Sequence, residues 1–343
     1  MNEENNSLTI AIPTFNRPCE LKKTLSIILP QIAECKDVFL LVQDNYSETP
    51  AQDIYESLNF AISSNRVRFV RNNLNIGGNA NIMRCFENCQ TKWLWVLGDD
   101  DLPSTSAINT IMKDGELDHC FAFYTVPKIK KPYFNNEVVN NLIGFGFENL
   151  ISHFGRKNKL EIGFLSAAIF NMNLIRPYII DGYLTANTGL PHILMVVKAL
   201  TAGHKWMISK EVIADYCPPS SGSGWGFMSY AYAMTSLLGV ASKNQEIALL
   251  RDILIKGWRP SPKKILYSQI TNSLDDEISR RDLRYIFCTI KDIYSPSWFE
   301  DPALRLRWTI TLIWSYFPIT FATRYKKRKE SNANINLTNT ERR

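Results

Sequence analysis

The first seven residues, Met1 to Ser7, lack a basic cluster followed by an apolar stretch, so no secretory signal is read there and the protein is expected to stay in the cytosol. Paired cysteine spacings are missing as well. Cys19, Cys35, Cys85, Cys89, Cys120, Cys217 and Cys288 are odd in number and form no framework, which fits free thiols in a reducing compartment. Cys85 and Cys89 lie one helical turn apart, a pair more often used for packing than as metal ligands. A basic stripe on the body is also lacking. The net charge is +6, but residues 324 to 343 hold seven Lys/Arg against two Glu, so 7 − 2 = 5 of it belongs to the tail. A nearly neutral body argues against a nucleic-acid surface. With no low-complexity stretch and 45% hydrophobic residues in 343, the chain can bury a sizeable core in one large domain, or one domain plus an extension.

What is present begins with alternation. Leu8 to Ile12, Val38 to Val42, Val67 to Val70, Trp93 to Leu97 and Phe121 to Val126 read as strands. Between them, Glu20 to Ala33, Gln52 to Ile62, Asn79 to Asn88 and Ser104 to Met112 have helical periodicity. Such alternation predicts an α/β fold, a mainly parallel sheet flanked by helices, with ligands beyond the C-terminal ends of the strands. Polar segments follow four of those ends: Pro13 to Arg17, Gln43 to Asn45, Arg71 to Asn73 and Gly98 to Asp101. Each alone could be turn chemistry; four in register predict one polar rim.

Gly98-Asp99-Asp100-Asp101 carries the strongest chemistry. Like charges at contact distance raise each other's pKa unless a positive charge sits among them. Oxygen ligands on a tight turn suit Mg²⁺ or Mn²⁺, which takes one or two carboxylates and completes its shell with phosphate and water. The plainer alternative is a solvated acidic turn leading into Pro103-Ser104.

Four segments in order, Ile10 to Arg17, Gln43-Asp44-Asn45-Tyr46-Ser47, Asn75 to Asn81 and Trp95 to Asp101, resemble the family 2 glycosyltransferases of the GT-A fold. The resemblance is strong over residues 7 to 125 and weak over 160 to 230, and the Gly-Asp-Asp-Asp form is similar to bacterial O-antigen and capsule sugar transferases. It implies transfer of a sugar from a nucleotide-sugar donor, with Mn²⁺ or Mg²⁺, to a glycan or lipid-linked saccharide acceptor. By the same resemblance Pro13, Thr14 and Arg17 line the nucleotide site and Asp44 meets the base. A carboxylate can accept from the N3-H of uracil or thymine, which favours UDP or dTDP over CDP. Gly77 and Gly78 would let backbone approach the donor, with Asn79 and Asn81 at the mouth of the next helix. Asp99 and Asp101 match the ends of the family's Asp-x-Asp element; both are implied as metal ligands, Asp101 first, with Asp99 also toward the ribose or donor sugar and Asp100 between them. The Glu-Asp pair that supplies the family's catalytic base is replaced by Pro191-His192. Either His192 serves as base or it packs; Asp181 and Glu161 are reserves. Two other readings stay open: a sugar nucleotidyltransferase, although its Gly-rich basic loop is missing after the first strand, and a catalytically silent nucleotide-sugar-binding scaffold.

Further along, an apolar run spans Ile162 to Phe170 and an amphipathic helix spans about Pro191 to Thr201. Pro218 to Gly226 suits either a loop closing over a ligand or a plain linker. A soft boundary near residue 226 separates a catalytic domain, 1–226, from a helical C-terminal region, 227–343. Within the latter, Leu304 to Ala322 is apolar, interrupted by Pro318 and too short for the roughly twenty apolar residues a spanning helix requires. With Arg324 to Lys329 behind it, it reads as a helix lying on the cytoplasmic membrane surface or as a buried helix pair with a tail.

Overall fold

A computed structural model of the chain describes residues 6–60, 62–115, 119–125, 140–154, 163–186, 189–215, 217, 245, 248, 261–273, 284, 287–292, 295, 299, 301–318 and 320–325. Glu161, Pro218 to Gly226 and Lys326 to Lys329 lie outside the described residues. The described residues fall into two compact units, the first holding those up to Cys217 together with Gln245 and Ala248, the second those from Ser261 onward.

The first unit is built on an eight-stranded sheet. Its strands are β1 (Leu8–Thr14), β2 (Val38–Asp44), β3 (Val67–Arg71), β4 (Trp93–Val96), β6 (Phe121–Tyr124), β7 (Leu142–Phe145), β8 (Ala168–Asn171) and β9 (Lys205–Ser209). They lie in the order β3-β2-β1-β4-β8-β6-β9-β7. The four pairings β1 with β2, β1 with β4, β2 with β3 and β6 with β9 are parallel; β8 enters antiparallel between β4 and β6, and β7 closes the edge antiparallel to β9. A two-stranded ribbon of β5 (Leu102–Pro103) and β10 (Ala214–Asp215) stands apart.

The helices explain why the sheet is buried on both faces. Along β1, Leu8, Ile10 and Ile12 join one core cluster, while Thr9 and Ala11 point the other way, as the two-residue repeat of a strand requires. Helix α1 (Pro18–Glu34) lays Leu21, Leu25, Ile28, Leu29 and Ile32 on that cluster at helical spacing. Each such aliphatic side chain contributes about 1.5–3 kcal/mol when fully buried, so this stripe fixes the helix. Its C-terminal carbonyls are held by Arg66, whose Nη1 donates to Ile32 O at 2.8 Å and Cys35 O at 2.7 Å. Helix α3 (Gly78–Asn88) covers the opposite face with Met83 and Phe86, the latter edge-on to Phe170 at 4.9 Å.

All five expected strands form. Two helices differ from expectation. The second, α2, ends at Glu56 (Ala51–Glu56), because the chain tightens through Leu58 and Asn59, the latter with φ of 50°. The next, α4, starts at Ala107 (Ala107–Asp114) rather than Ser104, because Ser104 N donates to Ile213 O beside the β5/β10 ribbon. The run ending at Phe170 splits into a 3-10 turn, Leu165–Ala167, and β8. It leads through α6 (Met172–Ile175) and α7 (Ile179–Leu184) to α8 (Pro191–Thr201), which has the expected bounds. Helix α5 (Phe147–Phe154) follows β7.

In the second unit two helices pack on each other, α9 (Pro262–Ser273) and α10 (Pro302–Trp314). The start of α10 is fixed by Pro302 and by Asp301, whose carboxylate accepts from Leu304 N at 2.9 Å. All seven cysteines are free.

At the sheet edge, Gly144 of β7 lies against Trp206 and Asn149 so closely that a Cβ would overlap both side chains. Gly144→Ala is expected to lower stability by about 1–3 kcal/mol in chemical unfolding; an unchanged midpoint would mean that β7 does not press on Trp206.

A polar rim of carboxylates, arginines and amides

The C-terminal ends of β1 and β4 meet at the acidic turn. Thr14, at the end of β1, donates its hydroxyl to Asp99 Oδ2 at 2.8 Å. Arg17 bridges the first two carboxylates, with Nη1 3.0 Å from Asp99 Oδ1 and 2.8 Å from Asp100 Oδ2. From α1, Thr24 Oγ1 reaches the carbonyls of Asp99 at 2.9 Å and Asp101 at 3.1 Å, fixing the backbone of the turn. Asp101 is held from elsewhere. Ser166, just before β8, donates to Asp101 Oδ2 at 2.5 Å and accepts from Gly98 N at 2.9 Å, while Cys217 N donates to Asp101 Oδ1 at 3.3 Å. Trp95 Nε1 in turn donates to Ser166 O at 2.9 Å, which ties this serine to β4.

Electrostatics distinguish the three acids. Burial pushes the Asp99 carboxyl up from 3.8 to about 6, although Arg17 and Thr14 pull it down. Burial pushes Asp101 further, to about 7, with Asp100 and Asp99 adding repulsion and Ser166 opposing it. Burial would lower the Arg17 pKa, but the two carboxylates outweigh it and the net direction is up. Asp101 therefore meets hydroxyl and amide donors, and the nearest charges are of its own sign. Position 98 must be glycine for this convergence: a Cβ there would lie 2.7 Å from Asp101 Oδ2 and 3.2 Å from Asp100 Oδ1.

Among the described residues no group of three or more His, Cys, Asp or Glu side chains is placed to hold a metal ion by itself. The donor set fits a hard divalent cation of the kind that takes one or two carboxylates and leaves the other positions to phosphate and water. Two carboxylate oxygens, Asp100 Oδ1 and Asp101 Oδ2, converge beside Gly98, and the guanidinium of Arg17 pairs with Asp99 and Asp100 but not with Asp101.

The second half of the rim surrounds Asp44, which is 2% exposed. Its Oδ1 accepts from Ser47 N at 2.8 Å, and its Oδ2 accepts from Ala51 N at 3.2 Å and Arg71 Nη1 at 3.0 Å. Three of about four lone-pair directions of the carboxylate are thus in use. Arg71 also donates to Ser47 O at 2.6 Å and lies 5.1 Å from the ring centroid of Tyr46, whose φ is 70°. A bulky residue in the left-handed region is strained, a feature that clusters at ligand-binding loops.

Below this runs an amide network that the sequence reading did not anticipate. Asn72 Nδ2 donates to Asn45 Oδ1 and to Asn81 Oδ1, both at 2.9 Å; Asn45 Nδ2 donates to Asn75 Oδ1 at 2.7 Å. Asn81 Nδ2 donates to Gln43 O at 2.9 Å. Asn81 is 2% exposed, so its amide positions the loop and helix start from below. Above it, Gly77 (φ 86°) caps α3, and a Cβ at Gly77 or Gly78 would meet nothing within 4 Å. The α3 N-terminus consequently faces open space, as an anion site at a helix start needs.

The expected bases stand differently. His192 is 1% exposed, its ring 6.0 Å from Phe170 and edge-on to it. A base must reach the acceptor hydroxyl at hydrogen-bond distance, so these surroundings suit packing. Asp181 joins α7 to α8 through Lys198 Nζ at 2.6 Å.

Ser166 and Thr24 were missed because nothing in their local sequence marks them; Asn45, Asn72 and Asn81 were singled out as rim residues, but not their bonds to one another.

The sequence pattern of glycosyl transferase family 2 matches residues 9–181, half of the 343-residue chain. No curated protein sequence matches. Among solved structures, S. aureus TarS 1–349 superposes with a TM-score of 0.54 at 11% identity, covering 94% of this chain and 91% of that one. Its complex with UDP-GlcNAc gives 0.52 at 11%, covering 94% and 92%. The mannosyltransferase PcManGT from Pyrobaculum calidifontis, in complex with GDP-Man and Mn²⁺, gives 0.50 at 12%, covering 92% and 86%.

Because Asp99 and Asp101 titrate higher folded than unfolded, the folded state holds their protons up to about pH 6 and 7 while the unfolded chain releases them near 3.8. The contribution of these two groups to stability is therefore full below about pH 4 and is lost as pH rises toward 7. Melting in chelator should show this loss, and Asp101→Asn should remove most of it; a variant with the same pH slope would contradict the burial of Asp101.

Proposed function

The chain belongs to glycosyl transferase family 2, and on that basis we propose that its acidic turn and α3 N-terminus together bind the diphosphate of a nucleotide-sugar donor. It is a glycosyltransferase with a GT-A fold, a mostly parallel sheet flanked by helices, and a helical C-terminal region. The observation that carries the proposal is the placement of Asp101: a carboxylate 5% exposed just beyond the C-terminal end of β4, beside Asp99 and Asp100, that accepts from the Ser166 hydroxyl and the Cys217 amide.

In this reading Asp101, with Asp100 or Asp99, would hold Mg²⁺ or Mn²⁺, whose charge would offset that of the departing diphosphate. Arg17 holds the Asp99 and Asp100 carboxylates in place. Gly77 and Gly78 admit the phosphates to the amides of α3, and the amide network beneath holds that loop at its distance. Thr14 and Pro13 floor the nucleotide site at the end of β1. At the base, the resemblance places Asp44, whose carboxylate Arg71 holds, and UDP or dTDP is the donor nucleotide in this reading because a carboxylate can accept from the N3-H of uracil or thymine. The acceptor in this reading is a glycan or lipid-linked saccharide of surface polysaccharide assembly, used at the cytoplasmic membrane face. No helix among the described residues is long and apolar enough to cross a membrane.

The test is donor binding and hydrolysis across UDP-, dTDP-, GDP- and CDP-sugars with Mn²⁺, with Mg²⁺ and with chelator. Metal-dependent use of a uridine or thymidine donor is expected, and Asp101→Ala should lower it by about two orders of magnitude or more while circular dichroism stays unchanged. Binding of no donor, or full activity of Asp101→Ala, would overturn the reading.

A further inference from the structure

The C-terminal unit presents an apolar surface of its own. One stripe of α10 is buried, with Trp308 and Thr311 at 0% exposure and the Trp308 ring 5.7 Å from Phe287. Leu306, Ile310 and Ile313, spaced four and three residues apart, share another face and are 50%, 42% and 60% exposed. Tyr316 and Phe317, in the turn after the helix, are 57% and 59% exposed. Single exposed apolar side chains are ordinary; five large ones along one helix and its turn mark an interaction surface.

The charges nearby select the occupant. Arg307 and Arg324 are exposed. Arg284 lies 4.4 Å from the Tyr316 ring and Arg324 5.5 Å from the Trp314 ring. Lys326, Lys327, Arg328 and Lys329 follow directly in the sequence. Cations beside an apolar stripe complement a surface that is anionic outside and apolar beneath, where large side chains sink to the acyl boundary and cations meet headgroups. A symmetric pairing of two such stripes would bring like charges together. From Glu330 to Arg343 the only large aliphatic residues are Ile335 and Leu337, a poor cover for five exposed side chains.

We propose that the α10 face formed by Leu306, Ile310, Ile313, Tyr316 and Phe317 is a membrane-docking surface that seats the C-terminal unit on anionic lipid. The inference rests on the proposed function only for the purpose of docking, since a lipid-linked acceptor lies in that same surface; the docking itself is read from this unit alone.

The experiment is co-sedimentation of the full chain with vesicles of phosphatidylglycerol and phosphatidylcholine in equal parts, and with phosphatidylcholine alone, at low and raised salt. Binding to the anionic vesicles is expected, weakened by salt, and more than about tenfold weaker for the variant L306S/I310S/I313S. A second variant, with Arg324, Lys326, Lys327, Arg328 and Lys329 changed to Gln, should lose the preference for anionic vesicles. Donor hydrolysis without vesicles should be unaltered in both, which separates loss of docking from loss of folding. Failure of the unaltered chain to bind anionic vesicles, or equal binding by the stripe variant, would overturn the proposal. So would self-association that the stripe variant abolishes without any vesicle binding, which would make the stripe an interface between copies. Absence of hydrolysis in every protein would instead count against the donor reading and leave the docking result standing.

Discussion

Three carboxylates in consecutive positions at the end of a buried strand repel one another, and the neighbourhood is arranged around containing that repulsion. Arg17 neutralises Asp99 and Asp100, Thr24 pins the backbone, and Gly98 lets Asp101 fold back beneath them. What is left over is the charge of Asp101, supported by a serine hydroxyl and a backbone amide. Hydrogen bonds from neutral groups do not offset the burial of an anion as a cation would. Under the proposed function, that cost would be recovered when a cation and an anionic donor bind together.

The rest of the rim prepares backbone more than side chains. Asp44 could be taken for a group that waits for ligand, yet most of its carboxylate is occupied in joining the β2 end, α2 and Arg71. Asn81, Asn72 and Asn45 likewise meet each other. With Asn45 and Asn81 buried, such a connected network is rigid, because a shift leaves a buried amide unpaired. Its product is a fixed loop before α3, with open space beside Gly77 and Gly78. Rigidity of this kind lowers the cost of ordering a charged ligand.

How much of this the sequence carried depends on distance along the chain. Strands β1 to β4 were legible because each is a short apolar run ended by polar residues, and α8 because its apolar positions are bounded by Pro191 and Gly203. The antiparallel entry of β8 was not, since an apolar run does not say which neighbour it pairs with or in which direction. Ser166 stands 65 positions from Asp101, and nothing beside it distinguishes it from other serines. His192 stood out in sequence by its place in a motif, but motif position does not report burial. The cluster Gly98 to Asp101 was legible because its chemistry is local: adjacent charges repel whatever the fold.

The most direct test of the central claim is anomalous X-ray scattering from crystals grown with Mn²⁺ and a uridine diphosphate sugar. The account predicts a manganese peak at the Gly98 to Asp101 turn, shared between a carboxylate of that turn and the donor diphosphate, with the diphosphate against the amides that follow Gly77. A donor bound at the strand ends with no manganese at the turn, or manganese elsewhere with the turn still closed on Arg17 and Ser166, would contradict it.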